Sequence, residues 1–413
     1  MFFSKILTKF ACLIDYKFPF LWENILNSMI KKASIISKNI IYPAVASVIL
    51  LILSYFINNS SRPFTGGENA LITQYERLKN HNDTKWTDSI FFINTCYDLE
   101  LIDHIDEHGI RYGKEAVTNK KDLYTLLKII RKCNYKYIVL DLDLFDYDSE
   151  YNDSIKDLVK NMENICVPYS TNMRKFDDAL QDKIGLVDYR RTVELPGFSK
   201  YALLNRDAVY MPLKIYQDCN DKTIKSLGGI LFFDGYKLCQ KSIVVHHYIK
   251  SVISDDHEYY QNIGKFIQKN KKGINIAEEF INKYIIIGDL FNGDVHETYV
   301  GSLSGPVINV NTYINLVKGK HLVNWIIVLF LFIIYFIISK CMWDRVDIST
   351  KLGNVKVLRY PVIRFIISLL SYTIVFHILS LVLYEVFDYH YNLWLPILWF
   401  TVMPSIIETK DIK

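Results

Sequence analysis

Four stretches of the chain consist of apolar and uncharged residues: 40–57, 321–339, 365–384 and 393–407. An uncharged run of about 18 residues is long enough to cross the hydrocarbon core as a helix, and only a helix satisfies its own backbone in lipid. The pattern predicts four transmembrane helices, one before and three after a long polar region. A buried core helix is the alternative, and it is strongest for the fourth stretch, which is short and contains Pro396 and Pro404.

The placement of lysine and arginine predicts the orientation, because cytoplasmic loops are enriched in both. Residues 1–39 hold six lysines against Asp15 and Glu23, and residues 340–364 are also basic. The loop before the fourth stretch has no lysine or arginine and contains Glu385 and Asp388. We expect a multi-pass protein of the plasma (inner) membrane with both termini cytoplasmic and residues 58–320 outside. The first stretch is expected to remain as an anchor, since no small-residue cleavage pattern follows it.

Between the first two stretches, short apolar runs alternate with helical spacing. Apolar runs at residues 89–95, 137–144 and 283–287 predict buried central strands. Helical spacing covers residues 122–133, residues after Asp153, which is a candidate N-cap, and residues 306–317. Further apolar runs occur at residues 165–167, 184–187, 230–233 and 243–245, and residues 60–69 read as a linker. This alternation predicts one extracytoplasmic α/β domain with a mainly parallel sheet, over residues 88–320.

Composition narrows the class of protein. Half of the residues are hydrophobic and 14% are aromatic, which excludes a disordered chain. A formal net charge of +4 is too small to indicate binding to nucleic acid. The tail, residues 408–413, and the other cytoplasmic segments are too short for a catalytic domain. Any output is therefore expected from a separately encoded cytoplasmic partner.

The most specific motif lies in residues 283–319. There a strand is followed by Gly288, by Asp-x-His-x-Thr at Asp294, His296 and Thr298, by Gly301 and Gly305, and by a helix. Together with the YIVLDLDLF run at residues 137–145 and the Asp153 helix, this region resembles the type 2 CHASE domain (cyclases/histidine kinases associated sensory extracellular). The likeness covers residues 88–320, and the three trailing helices extend it to about residue 407.

The resemblance implies an extracytoplasmic sensor with an unknown ligand. It departs from the family in two places: IRYGKEAVTNKKDL replaces a frequent Trp-Pro-x-x-Arg stretch, and Tyr299 stands where a proline commonly follows the threonine. Members of the family usually carry a fused kinase or cyclase domain, which this sequence does not contain. The sequence does not decide whether the protein forms a homo-oligomer.

Acidic and hydroxyl side chains near predicted strand ends are candidates for a ligand-binding or signalling loop, because ligands of open α/β sheets bind at the carboxyl edge. They could form a pocket for a cation or polar ligand, or they could order their own loops. We expect Asp294 to accept hydrogen bonds from its loop, to orient His296 and to hold the segment leading to the last helix. The candidates are Asp98, Asp141, Asp143, Asp289, Asp294, His296 and Thr298.

No catalytic residue, metal site or cofactor is predicted. Gly-x-Ser-x-Gly, His-Glu-x-x-His and phosphate-binding glycine loops are absent from the sequence, and Gly228-Gly229 reads as a turn before a strand. A second cluster, of histidines and aspartates, is more typical of a solvated surface than of a metal site. Its members are His246, His247, Asp255, Asp256 and His257.

The cysteines and one intramembrane histidine carry less information. The outer region holds an odd number of cysteines, which are expected to be mainly buried thiols: Cys96, Cys133, Cys166, Cys219 and Cys239. Cys12 and Cys341 carry no motif. His377 lies in the third stretch, where a neutral imidazole hydrogen-bonded between helices is favoured over a proton relay.

Three functions remain open at this stage. The favoured one is a membrane-anchored receptor that relays an outside signal through its helix bundle to a separate partner. The alternatives are a scaffold subunit that senses nothing and, less favoured, a membrane-anchored extracytoplasmic hydrolase.

Overall fold

The computed structural model describes residues 38–58, 88–105, 111–144, 147, 149–170, 178–187, 200–205, 208–252, 260–291, 293–298, 300–344, 361–387, 389 and 394–410. Several sequence expectations lie outside these residues: most of the basic N-terminal segment with Cys12, the linker, Asp255, Asp256, His257 and Tyr299. The described part of the chain divides into two units.

The first unit consists of apolar helices. Its elements are α1 (Lys38–Asn58), α8 (Trp325–Trp343), α9 (Pro361–Phe387) and α10 (Trp394–Lys410), with the last turns of α1 and α9 assigned to the second unit. Among the described helices, three are long and apolar enough to cross a membrane: Ile40–Ile57, Trp325–Trp343 and Phe365–Phe387. The chain is therefore a membrane-embedded protein. The apolar part of α10, Trp394–Met403, is shorter.

Aromatic packing joins three of these helices. The Phe376 and Phe400 rings stack at 5.7 Å between centroids, and buried Tyr335 lies 5.9 Å from Phe400. His377 Nδ1 lies 2.6 Å from the carbonyl oxygen of Thr373, one turn earlier in the same helix. The expectation of a hydrogen bond between helices is wrong for this nitrogen, because the carbonyl oxygen that it contacts belongs to its own helix.

The second unit is built on a six-stranded parallel sheet in the order β14-β1-β15-β4-β5-β6. These strands are β1 (Ile90–Asn94), β4 (Tyr137–Asp141), β5 (Ile165–Tyr169), β6 (Ile184–Leu186), β14 (Tyr260–Asn262) and β15 (Tyr284–Gly288). The three central strands are the ones predicted. Their nearly continuous burial fits a sheet that is covered on both faces.

Helices cover both faces. One face packs against α2 (Lys120–Ile130), α3 (Asn152–Lys160) and α5 (Ile263–Lys271), and the other against α4 (Met211–Asn220) and α7 (Gly305–Val317). Successive residues of β15 alternate between the two cores, with Ile285 and Ile287 in one and Tyr284 and Ile286 in the other. The remaining short elements are a 3-10 helix (Asp178–Lys183) and α6 (Ala277–Phe280).

Smaller antiparallel sheets decorate this core. β2 (Leu99–Ile105) pairs with β3 (Arg111–Thr118), and β10 (Ile224–Leu227), β11 (Leu231–Asp234) and β12 (Lys237–Cys239) form a three-stranded sheet. β7 (Lys200–Ala202) pairs with β13 (Ser242–Val244), β8 (Leu204–Asn205) with β9 (Ala208–Val209), and β16 (Val295–Thr298) with β17 (Gly301–Ser304).

Several predicted boundaries need correction. α2 starts at Lys120 because Asn119, whose Oδ1 accepts the Asp122 N–H at 3.0 Å, is its N-cap. Asp153 is not the N-cap of α3, since Tyr151 holds that position and Asp153 lies in the first turn. The apolar runs at 230–233 and 243–245 belong to the small sheets. The second membrane helix starts at Trp325 rather than at residue 321.

Candidate functional site

The carboxyl ends of β4 and β15 lie side by side, with Asp141 paired to Gly288. A Cβ on Gly288 would lie 2.6 Å from Cγ of Pro306 and 3.0 Å from the carbonyl oxygen of Asp141. Glycine at this position therefore allows the first turn of α7 to pack directly on the sheet edge. Open α/β sheets bind ligands at this edge, and the main group of polar candidate residues is found here.

Asp141 is the centre of a hydrogen-bonded chain. Its Oδ2 accepts a hydrogen bond from Nδ2 of Asn309 in α7 at 2.7 Å. Asn309 Oδ1 in turn accepts one from the buried Tyr201 hydroxyl at 2.7 Å. The carboxylate is only partly exposed. The end of β4, the helix α7 and the small β7–β13 sheet thus meet at the Asp141 carboxylate.

Asp294 approaches the same place from the β16–β17 hairpin. Its Oδ1 lies 2.8 Å from Nε2 of His296, and its carbonyl oxygen accepts the Gly305 N–H at 2.8 Å. A Cβ on Gly305 would meet Asp294 Oδ2 at 1.7 Å, so the carboxylate covers the first residue of α7. This position favours negative charge, because the N-terminus of a helix carries partial positive charge.

The pKa of Asp141 is raised to about 7, first by burial and second by the negative charge of Asp294. The hydrogen bond from Asn309 and the nearby His296 act in the opposite direction. A carboxyl group with a pKa near 7 exchanges its proton in the physiological range. Asp141, Asp294 and His296 therefore form a polar site in which burial and the charge of Asp294 disfavour ionisation of Asp141.

Asp289 and Thr298 order the loop around this site. Asp289 accepts the N–H groups of Phe291 at 2.9 Å and Gly293 at 2.7 Å. Thr298 Oγ1 donates to the carbonyl of Gly301 at 2.6 Å and accepts the Val300 N–H at 3.2 Å. The prediction that the Asp294 side chain accepts the loop N–H groups is wrong in this respect, since Asp289 performs that task.

Asp98 and Asp143 lie apart from the group. Asp98 accepts the N–H groups of Ile263 at 2.8 Å and Gly264 at 2.9 Å, so it caps α5. Burial raises the pKa of Asp98 and these two bonds lower it. The side chain of Asp143 is exposed, and its carbonyl oxygen accepts a hydrogen bond from Lys120 Nζ at 3.2 Å.

α7 carries two further buried asparagines that the sequence reasoning did not single out. Asn311 accepts the Ile249 N–H at 2.9 Å and donates to the Ile249 carbonyl at 2.8 Å. Asn315 pairs in the same way with the backbone of His246, at 3.2 and 2.8 Å. Asparagines spaced by four in a mainly apolar helix were the available signal. They attach the segment of residues 246–249 to the C-terminal half of α7.

The histidines of this segment are not on a solvated surface. His247 is buried, and Nδ1 of His246 lies 3.0 Å from the Tyr384 hydroxyl at the end of α9. The interpretation of this pair as solvated surface is therefore wrong, because asparagine side chains pull their backbone onto α7. Within the described residues, no group of three or more His, Cys, Asp or Glu is arranged to hold a metal ion.

A second polar cluster precedes α8. Asp234 Oδ2 accepts from the Tyr216 hydroxyl at 2.8 Å and lies 3.2 Å from Nε2 of the fully buried His321. Lys222 Nζ is 3.4 Å from the same oxygen. Burial lowers the pKa of His321, so the neutral imidazole is favoured. The cluster fixes the chain four residues before Trp325.

An open cavity of about 910 Å³ follows the edge strand β6. Three of its charged lining residues are already engaged: Lys214 pairs with Asp218, and Lys183 donates to the carbonyl of Met162. Because these charges are satisfied within the protein, the cavity is a weaker candidate than the Asp141 site.

Comparison with known proteins gives no family assignment: no protein-family model matches the chain, and no curated protein or solved structure matches it significantly.

Proposed function

We propose that this protein is a membrane-anchored extracytoplasmic sensor, resembling the type 2 CHASE domain, that relays an outside signal to a separate cytoplasmic partner. The observation that carries the proposal is the course of α7. Its first turn packs on the Asp141 strand end, and its last residues lead to the segment that continues into α8. A shift at the polar site would therefore reach the membrane along one helix.

The direction of α7 supports such a relay. Pro306 lies at the Gly288 end of β15, whereas the Tyr313 hydroxyl lies 2.5 Å from that of Tyr284 at the other end of the strand. α7 thus runs antiparallel to β15. Thirteen helical residues cover about 20 Å, which separates the Asp141 site from the chain that precedes α8.

The chemistry supports a stimulus that carries positive charge. The negative charge of the neighbouring Asp294 disfavours the ionised form of the partly buried Asp141. A proton, or a small cation or ammonium group placed between them, relieves that repulsion. A change in the position of Asp141 would be transmitted to α7 through the hydrogen bond from Asn309.

Hydrogen exchange of the full-length protein in nanodiscs tests the relay. Amide hydrogen-exchange rates are corrected for the intrinsic dependence of amide exchange on pH. They are then compared at pH 6 and pH 8.5 for wild type, Asp141→Asn and the matched control Asp143→Asn. A relay predicts a pH-dependent change in peptides covering residues 305–324 for wild type and the control, and none for Asp141→Asn. A change that stops within the first turn of α7 would contradict the relay.

The orientation is part of the proposal. Both termini lie in the cytoplasm, α10 is a fourth span, and the α/β unit lies outside, as the loop charges favour. A reporter enzyme fused after Lys413 should be active only in the cytoplasm, and a reporter inserted in the β2–β3 hairpin only outside. The opposite pattern would overturn the orientation without affecting the site.

The partner is tested by photo-crosslinking in native membranes from Lys351, in the basic loop between α8 and α9. A sensor predicts a crosslinked protein whose yield changes between wild type and Asp141→Asn. An equal yield in both favours the scaffold function. Hydrolysis of a generic ester or peptide substrate by the purified full-length protein, lost in Asp141→Asn, would favour the hydrolase.

A further inference from the structure

The three-stranded sheet β10–β12 has one buried and one outward face. Phe232, Asp234 and Cys239 are buried on the inner face. Cross-strand pairing of Leu227 with Leu231 and of Phe233 with Leu238 puts the alternate residues on the outer face. Leu227 is 64% exposed, and the other three are partly exposed. The outer face is therefore apolar, with Lys225 as its exposed cation.

This face continues into the chain that precedes α8. Cys239 forms an antiparallel bridge with Leu322, and the Val323 N–H donates to the carbonyl of Leu238 at 2.9 Å. Val323 thus lies opposite Leu238 on the outer face. Only Asn324 separates it from Trp325, the first residue of a helix that is apolar enough to cross a membrane.

A second hydrogen bond also connects β12 to a candidate membrane helix. The Tyr55 hydroxyl, in the last turn of α1, donates to the carbonyl of Cys239 at 3.1 Å. Tyr55 belongs to the candidate span Ile40–Ile57. Tyrosine is enriched at the boundary between lipid and water. Two independent segments that continue into membrane helices therefore meet β12.

We propose that the outer face of this sheet rests on the lipid bilayer, so that β10–β12 forms an interfacial contact in addition to the membrane helices. The apolar side chains of Leu227, Leu231, Phe233 and Leu238 enter the boundary between headgroups and acyl chains. Lys225 then lies at the height of the phosphates, where a basic side chain is attracted to anionic lipid.

The turn between β10 and β11 fits this role. Gly228 and Gly229 have φ values of +62° and +70°, which allow a tight connection without further side chains. Leu227 and Ile230 flank the turn and are both more than half exposed. A short apolar hairpin of this kind adds buried apolar area at the interface without crossing it.

The test uses an environment-sensitive NBD fluorophore on one introduced cysteine of the full-length protein, in a background with Cys12→Ser and Cys341→Ser. Leu227→Cys is the probe position. Leu101→Cys is the matched control, because Leu101 is 66% exposed and also lies in an antiparallel hairpin. Its strand follows the carboxyl end of β1, on the side of the sheet where α7 begins.

The labelled proteins are reconstituted into phosphatidylcholine–phosphatidylglycerol vesicles with and without acyl-brominated lipid. The proposal predicts blue-shifted emission at position 227 and a loss of roughly half of it in brominated lipid, with neither effect at position 101. Water-like emission at both positions would overturn the proposal. Blue-shifted emission at 227 without quenching would also overturn it, because protein and not lipid would then cover the face.

Discussion

The Asp294 carboxylate lies against Gly305, the first residue of α7, so closely that a Cβ on Gly305 would meet Oδ2 at 1.7 Å. This contact joins the motif loop to the helix that leads to the membrane. The same carboxylate is about half exposed, so its side chain can rotate into water when it is displaced. The contact therefore depends on glycine at position 305.

Gly305→Ala should displace Asp294, break its pairing with His296 and destabilise the protein by about 0.5–1.5 kcal/mol. Asp294→Ala alone should cost under about 1 kcal/mol, because the pair is partly solvated. Thermal melts of the full-length protein in detergent measure both. In the double variant, the loss of stability should be smaller than the sum of the two single losses. The Asp294 carboxylate that would clash with the added Cβ at position 305 is then absent.

Gly113→Ala is the control for this series, because an added Cβ there meets nothing within 4 Å. Its melting temperature should match that of wild type. Fully additive costs of Gly305→Ala and Asp294→Ala would show that the carboxylate does not occupy the space above Gly305.

Asp141→Asn should change how stability depends on pH. The pKa of this carboxyl is about 7 in the fold and about 3.9 in an unfolded chain. The folded state therefore holds the proton more tightly than the unfolded chain does. The stability that this bound proton adds to the folded state is lost as pH rises from about 4 to 7. The variant keeps an acceptor for Asn309 and cannot ionise. Relative to wild type it should gain up to about 4 kcal/mol between pH 4 and pH 8.5.

The measurement is the melting temperature between pH 4 and pH 8.5. It is compared among wild type, Asp141→Asn and the exposed control Asp143→Asn. Parallel curves for wild type and Asp141→Asn would mean that Asp141 titrates normally in the fold. A similar change in Asp143→Asn would point to a general charge effect.

Asn311→Ala should be among the more damaging single substitutions in α7. The fully buried side chain satisfies both backbone groups of Ile249, and its removal leaves a buried donor and acceptor without partners. We expect a loss of about 2–4 kcal/mol, measured by denaturation in detergent. Asn275→Ala, at an exposed asparagine, should change stability by less than about 0.5 kcal/mol.

The thiols of the buried Cys239 and the partly buried Cys219 should react slowly. Burial raises the pKa of Cys239 to about 12 and that of Cys219 to about 11, so little reactive thiolate forms at pH 8. Cys341 is exposed. In a Cys12→Ser background, brief alkylation followed by peptide mass spectrometry should label Cys341 first. Early labelling of Cys239 would mean that this part of the fold opens readily, and denatured protein should label at every cysteine.

The sequence by itself was sufficient for the elements whose patterns are local. The uncharged runs predicted four membrane helices, three of which correspond to described helices long and apolar enough to cross a membrane, and the apolar runs at β1, β4 and β15 predicted the centre of a parallel sheet. The helix at residues 306–317 also followed from local spacing. In each case, nearly every residue of the segment is apolar on the face that must be buried, so neighbouring residues carry the signal.

Only the tertiary structure decided which polar side chains meet. Seven candidate site residues looked equivalent along the chain, yet the fold brings Asp141, Asp294 and His296 together and uses Asp98 to cap a distant helix. Asn309 and Tyr201 complete the Asp141 site from elements remote in sequence. The bridge between Cys239 and Leu322, ahead of α8, likewise joins segments remote in sequence. Such contacts form between segments far apart in the chain, so their partners leave no periodic trace in the local sequence.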